Sequence, residues 1–199
     1  EERRPGRPTL IYAGSITALR GLYEMIELVR RLRPTFPDLL LRLVGPVGSA
    51  TEKARAEELI ARQGLEKHVE FTGLVSHLEV HRHILDADVG LALLHPDPNY
   101  VNSLPTKMFE YMMMGRPVVV SNFPMWAQIV AEADCGYAPD PLDLDAVEQH
   151  LRRLLADEEL RREMGRRGRA AVLEKYNWEK EGERLVAFYR DLLSSGRVL

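Results

Sequence analysis

Short apolar, β-rich runs alternate with helix-forming segments over the first 138 residues, and this alternation constrains the fold more than any other feature. Parallel strands need a crossover between them, and a helix is the usual crossover. The order therefore implies an α/β fold: a doubly wound, mainly parallel Rossmann-like sheet with helices on both faces. Strands are expected at residues 9–13, 39–44, 69–71, 89–94, 117–121 and 136–138, most of them ending near a Gly, Pro or Ser. Helices are expected at 22–32, 51–62, 78–85 with Ser76 as cap, 107–114 and 124–131. After Asp143 the chain turns almost wholly helical, near 144–156, 158–174 and 178–193, which adds C-terminal helices to the sheet.

A length of 199 residues fits one domain with a substantial core. Residues 1–8 form a polar Pro/Gly stretch that reads as a linker remnant, leaving 9–199 as the domain. A net charge of -3 excludes the broad positive field that concentrates nucleic acid. The single cysteine, Cys135, excludes an internal disulfide and fits a reducing compartment, so a cytoplasmic location is expected. No apolar run approaches the roughly 18 to 20 residues that span a bilayer.

The stretch with most chemical content is NSLPTKMFEYMMMGRPVVVS, from Asn102 to Ser121. It follows a buried-strand pattern across a polar loop and opens a helix, with Ser103 as candidate cap. In an open α/β sheet, ligands sit beyond the carboxyl ends of the strands, where helix N-termini point. Free N–H groups and the helix dipole make that helix start suited to a phosphate. Glu110, placed about two turns in, can accept two hydrogen bonds from a vicinal diol such as a ribose. Helix geometry alone leaves open the plainer reading of a solvated glutamate.

Asn102 to Ser121 resembles the donor-binding signature of the retaining, group-1 type glycosyltransferases of the GT-B fold, the glycogen synthase and mannosyltransferase superfamily. That signature is Glu, seven residues, Glu, a small-residue turn and Gly-x-Pro-Val. Glu110, Gly115, Pro117 and Val118 fall on it, while Asn102 stands where the first glutamate is usual. Tyr12-Ala13-Gly14 through Arg20-Gly21 resembles the family's first strand and glycine loop, with Ser15 in place of an arginine and Arg20 in place of a lysine. Val69 to Val75 resembles the strand and loop beside the nucleobase, and Cys135-Gly136 a late strand. The likeness spans about residues 9–193.

The resemblance implies half of a GT-B enzyme that binds a nucleotide-diphosphate sugar as donor. Glu110 would hold the ribose; Ser103, Leu104, Pro105, Thr106 and Lys107 would line the phosphates with Gly14, Ser15 and Arg20. Gly73 and Leu74 would lie beside the base. Asn102 would bond sugar hydroxyls, and Asn102 and Arg20 are the candidate catalytic residues. The implied partners are an N-terminal domain of the same protein and a glycan or lipid-linked acceptor. The scheme requires no metal and no separate cofactor, and the isolated half would bind donor weakly and transfer nothing.

Two other readings stay open. Ser15 and Asn102 are losses against the family pattern and favour a noncatalytic nucleotide-binding or interaction module; an epimerase or phosphorylase of the same fold is the enzyme alternative. No Gly-x-Gly-x-x-Gly follows the first strand and no P-loop occurs, which sets aside dinucleotide and P-loop readings. His81 and His83, two apart on a helix, do not share a face for a metal. His77, His95, Tyr100, Phe123 and the run Met112 to Met114 read first as surface or packing residues. The arginine-rich stretch 161–169 reads as a solvated face, with peripheral contact to anionic lipid as the minor alternative. In the last helix, Leu185, Phe188 and Leu192 are expected to be partly exposed, ready to pack on another domain.

Overall fold

The computed structural model describes residues 7–194; most of the expected linker, residues 1–6, lies outside them. Six strands form one parallel sheet: β1 (Thr9–Ala13), β2 (Leu40–Val44), β3 (Val69–Gly73), β4 (Val89–Ala92), β5 (Val118–Val120) and β6 (Gly136–Tyr137). Their order across the sheet is β3-β2-β1-β4-β5-β6. The chain steps outward from β1 in one direction, then returns to start again at β4. In open α/β sheets such a reversal is where a ligand crevice is expected, here outside the carboxyl ends of β1 and β4.

Every residue of β1, β4 and β5 is buried, as strands covered on both faces require, whereas edge strands β3 and β6 are only partly covered. The covering helices are α1 (Leu22–Leu32), α2 (Ala50–Gln63), α3 (His77–Leu85), α4 (Pro98–Val101), α5 (Thr106–Met113), α6 (Pro124–Ala133), α7 (Leu144–Ala156), α8 (Glu158–Glu174) and α9 (Trp178–Ser194). In α1, Leu22, Met25, Ile26, Leu28, Val29 and Leu32 are buried, the helical spacing read from the sequence. Ser76 caps α3 in a reciprocal capping box with Glu79.

Two short elements were not expected: a 3-10 turn at Ala18–Arg20 and the four-residue α4. Both sit in loops at the carboxyl ends of strands. The cap of α5 differs from expectation, although its start at Thr106 lies one residue from the expected 107. Ser103 does not cap it; its hydroxyl donates to the Tyr100 carbonyl at 3.0 Å, and Pro105 stands at the cap position with no side-chain bond. The cause is Pro105, whose ring pushes Leu104 away from helical angles and delays the helix to Thr106. Glu110 consequently stands about one turn into α5, not two.

Helix α5 is fixed at the reversal point by Tyr111. Its ring lies so close to Gly90 that a Cβ there would come within 2.3 Å of it. The buried hydroxyl accepts from Ala13 N–H at 2.8 Å and donates to the Leu91 carbonyl at 3.3 Å, tying α5 to both β1 and β4.

At the amino ends of the strands, Asp88 accepts from Thr9 N–H at 2.7 Å and lies 3.3 Å from Arg161. Three further arginines of α8 are paired: Arg162 with Glu159, Arg166 with Glu163, and Arg167 with Glu163 and Asp134. The stretch is the solvated charged face expected, with Arg162 and Arg166 73% and 69% exposed and its charges largely paired within the helix. Helix α9 buries no residue; Leu185 and Phe188 are 56% and 61% exposed. Among the described residues no helix is long and apolar enough to cross a membrane.

Candidate functional site

Strand β1 ends at Ala13, and Gly14 turns the chain at φ 127, a left-handed angle that favours glycine. Ser15 follows, and the turn Ala18–Arg20 brings the chain back into α1. Tyr12, buried beneath this loop, donates its hydroxyl to the Ser15 carbonyl at 2.8 Å. Burial pushes the Tyr12 phenol up to about 12, so it holds its proton and remains a donor. Ala18 N–H donates to Glu52 at 2.7 Å, which fixes the turn to the first turn of α2.

Arg20 projects from this turn. Its Nη1 lies 3.4 Å from the Ser15 carbonyl and its Nε 3.3 Å from the Tyr100 hydroxyl on α4. The guanidinium also lies 5.5 Å from the Tyr100 ring centre. Tyr100, read first as a packing residue, steadies Arg20 from 80 residues away.

Lys107 comes from the second position of α5. Its stem is partly exposed, but Nζ is buried and has no hydrogen-bond partner. The nitrogen stands 3.6 Å from the centre of the Tyr12 ring, and a Cβ on Gly14 would fall 3.0 Å from it. Burial, then the Arg20 charge, pull its pKa down from 10.5 to about 7, against a smaller opposing pull from Glu110. The N–H groups of Thr106 and Lys107 have no acceptor among the described residues, nor does Ser15 N–H. Two cationic side chains and several free donors thus converge on the Gly14 turn.

The remaining sequence-derived site residues surround this cluster at different distances. Asn102 ends α4 with an exposed side chain, and Leu104 is 49% exposed at the same rim. The turn from Asn102 to Pro105 is held from behind by Trp126 of α6, fully buried, whose indole N–H donates to the Ser103 carbonyl. Glu110 is half-buried on α5, three residues past Lys107, and among the described residues its carboxylate forms no hydrogen bond. Gly73 and Leu74 end β3, two strands from β1 and so about 10 Å from the cluster. Leu74 is 84% exposed there.

Sequence reasoning missed the roles of Tyr12, Tyr100 and Trp126. Each reads as a core aromatic, and only the fold brings it beneath the cluster or behind its loop. It also left His95 as a surface residue; His95 Nε2 lies 3.0 Å from Glu24, at the start of α1, without hydrogen-bond alignment. Among the described residues no group of three or more His, Cys, Asp or Glu side chains could hold a metal ion. A cleft of about 920 Å³, lined by residues including Asp88, Arg116 and Arg161, opens where β4 and β5 begin, away from this rim.

The family described as "Glycosyl transferases group 1" matches residues 1–171. The chain belongs to this family. Among curated group-1 relatives, it is 28% identical over 199 residues to a GDP-mannose-dependent alpha-(1-6)-phosphatidylinositol monomannoside mannosyltransferase of Mycolicibacterium smegmatis, covering 96% of this chain and 49% of that protein. It is 26% identical over 186 residues to an alpha-D-kanosaminyltransferase of Streptomyces kanamyceticus, covering 94% and 46%. The chain spans about half the length of the curated relatives it matches. In fold it matches the crystal structure of the C-terminal domain of a group-1 family protein (LpcC) from Francisella tularensis, with TM-score 0.77 and 21% identity over 87% of this chain and 88% of that one. The fold is thus the Rossmann-like half of a GT-B glycosyltransferase.

Proposed function

We propose that this group-1 chain binds a nucleotide-diphosphate sugar at the carboxyl rim of its sheet and is the donor half of a retaining glycosyltransferase. One observation carries the reading: the buried, unpartnered Lys107 amine, the Arg20 guanidinium and the uncapped start of α5 converge on the Gly14 turn. Positive groups gathered this way are stable companions only for an anion of comparable charge. A diphosphate supplies that charge and spans such a turn.

In this arrangement Arg20, Lys107 and the N–H groups of Ser15, Thr106 and Lys107 hold the diphosphate, with Ser103 to Pro105 lining it. Glu110, its carboxylate unspent within the chain, takes the ribose hydroxyls; Gly73 and Leu74 lie beside the base, and Asn102 bonds the sugar. When the bond from the anomeric carbon to the diphosphate breaks, charge grows on the leaving oxygen, and fixed cations and N–H dipoles lower that barrier. The sugar passes with retention to a hydroxyl of a glycan or lipid-linked acceptor held by an N-terminal domain. The uncovered apolar face of α9, with Leu185 and Phe188, supports a further packing partner of that kind.

Ser15 and Asn102 support a second reading, a noncatalytic nucleotide-binding module, since each lacks the charge the family pattern places there. A thermal-shift panel of UDP, GDP, ADP and their sugars tests the donor assignment. A ligand at a hundredfold excess over its Kd stabilises by about 2.7 kcal/mol. Glu110→Ala is expected to abolish most of the preferred nucleotide's shift; an unchanged shift would remove the ribose assignment. Sugar transfer by the protein joined to its acceptor half, absent with Arg20→Ala, separates the enzyme from the binding module.

A further inference from the structure

Lys107 is placed where three features of the ligand-free protein oppose its charge. It occupies the second position of α5, where the helix dipole repels a cation. Its Nζ is buried without any hydrogen-bond acceptor. Across the Gly14 turn it faces Arg20, a second cation, which Tyr100 steadies. Two features favour the charge, the π face of Tyr12 from β1, 3.6 Å from Nζ, and Glu110 on its own helix, but burial and Arg20 outweigh them. One diphosphate set into the turn supplies the missing acceptor and offsets both the helix dipole and the Arg20 charge.

Resting on the donor-site reading, we infer that the nucleotide-diphosphate sugar brings a proton with it: binding converts the Lys107 amine, uncharged in much of the empty protein, to an ammonium that pairs with the diphosphate. The reaction is R–NH2 plus H+ from solvent giving R–NH3+, with no other bond made or broken. Lys107 titrates in the empty site near 7 because burial and Arg20 lower its pKa. Arg20 keeps its charge and Tyr12 its proton through this range, and the diphosphate diester of a nucleotide sugar has no proton to exchange there. The proton taken up therefore belongs to Lys107. Affinity is full where the empty amine is already charged and falls as pH rises through its empty-site pKa, by up to tenfold per pH unit.

The device has a consequence for turnover. The empty rim avoids holding two adjacent uncompensated cations, yet becomes doubly cationic when the donor arrives. A ligand with one phosphate that does not reach the Gly14 turn leaves the amine neutral, so the site discriminates by charge as well as by shape.

The experiment is calorimetric titration of this chain with UDP-glucose, GDP-mannose and ADP-glucose at pH 7.5, in Tris and in HEPES at equal ionic strength. The difference in heat between the buffers counts protons. We expect about three quarters of a proton taken up per nucleotide sugar bound, from an empty-site pKa of about 7. We also expect about tenfold weaker binding at pH 8 than at pH 6. Lys107→Arg, whose charge is fixed, and Lys107→Gln, which has none, should both bind without proton uptake and with no such pH dependence. Binding by the wild-type chain with no proton uptake, or the same uptake in both variants, would overturn the inference while leaving the donor site intact. No binding of any of the three sugars would overturn the donor-site reading and this inference together.

Discussion

Two buried ionic groups, one at each end of the sheet, are treated in opposite ways. Asp88, 4% exposed where β4 begins, accepts from Thr9 N–H at 2.7 Å and has Arg161 at 3.3 Å. Lys107, where the strands end, has a buried amine with no acceptor and a second cation across the turn. Burying a charge costs free energy unless it is paired and hydrogen-bonded, and the protein meets that requirement at one end only. The amino end is built for stability. The carboxyl end gives up stability to keep donors and cations vacant.

The largest effect that could break this contrast is at Asp88. Asp88→Ala leaves the buried Thr9 N–H without its acceptor and takes the buried carboxylate from Arg161, which keeps its bonds to the Leu154 and Leu155 carbonyls, and is expected to cost about 3–5 kcal/mol in urea unfolding. A loss under about 1 kcal/mol would show that the amino end is not held as described.

Lys107→Met should act with the opposite sign. The unfolded chain keeps the Lys107 proton up to about its ordinary pKa of 10.5, whereas the folded chain releases it near 7. Between those values the unfolded state binds more protons, so wild-type stability rises with pH across that window. The burial penalty is therefore full below pH 7 and fades toward pH 10.5. Lys107→Met should stabilise the chain by about 1–3 kcal/mol at pH 6, with the gain shrinking by pH 10. A destabilised variant at pH 6 would mean that the amine is satisfied in the folded chain.

A smaller effect belongs to the loop between the two groups. Trp126→Phe removes the N–H donated to the Ser103 carbonyl and should cost about 1–2 kcal/mol. It should also weaken nucleotide binding, because the turn from Asn102 to Pro105 loses its rear support. Unchanged affinity with lowered stability would confine Trp126 to packing.

How much of this was legible in the sequence follows from how local each feature is. The strands were, because β1, β4 and β5 are covered on both faces and so read as unbroken apolar runs. The edge strand β3 runs to Gly73, two residues beyond the expected 69–71, since a half-covered strand has a weaker pattern. The cap of α5 was misassigned by weighing Ser103 above the restriction Pro105 places on Leu104, although the start at Thr106 lies one residue from the expected 107. At the site, Gly14, Ser15, Arg20 and Lys107 were named from the sequence, and the fold gathers them around one turn. The isolation of the Lys107 amine was not legible, because helical periodicity says nothing about whether a polar atom has a partner. Nor was the hold of Tyr100 on Arg20, which joins loops from the two halves of the sheet.

The central claim is that Arg20 and Lys107 at the Gly14 turn hold a nucleotide diphosphate. Titration of UDP-glucose, GDP-mannose and ADP-glucose into the chain, alongside Arg20→Ala, tests it most directly. One of the three should saturate the wild-type chain, and Arg20→Ala should weaken that binding by about tenfold or more, the loss of a charge-assisted phosphate contact. Affinity indifferent to Arg20→Ala, or no binding of any nucleotide sugar, would contradict it.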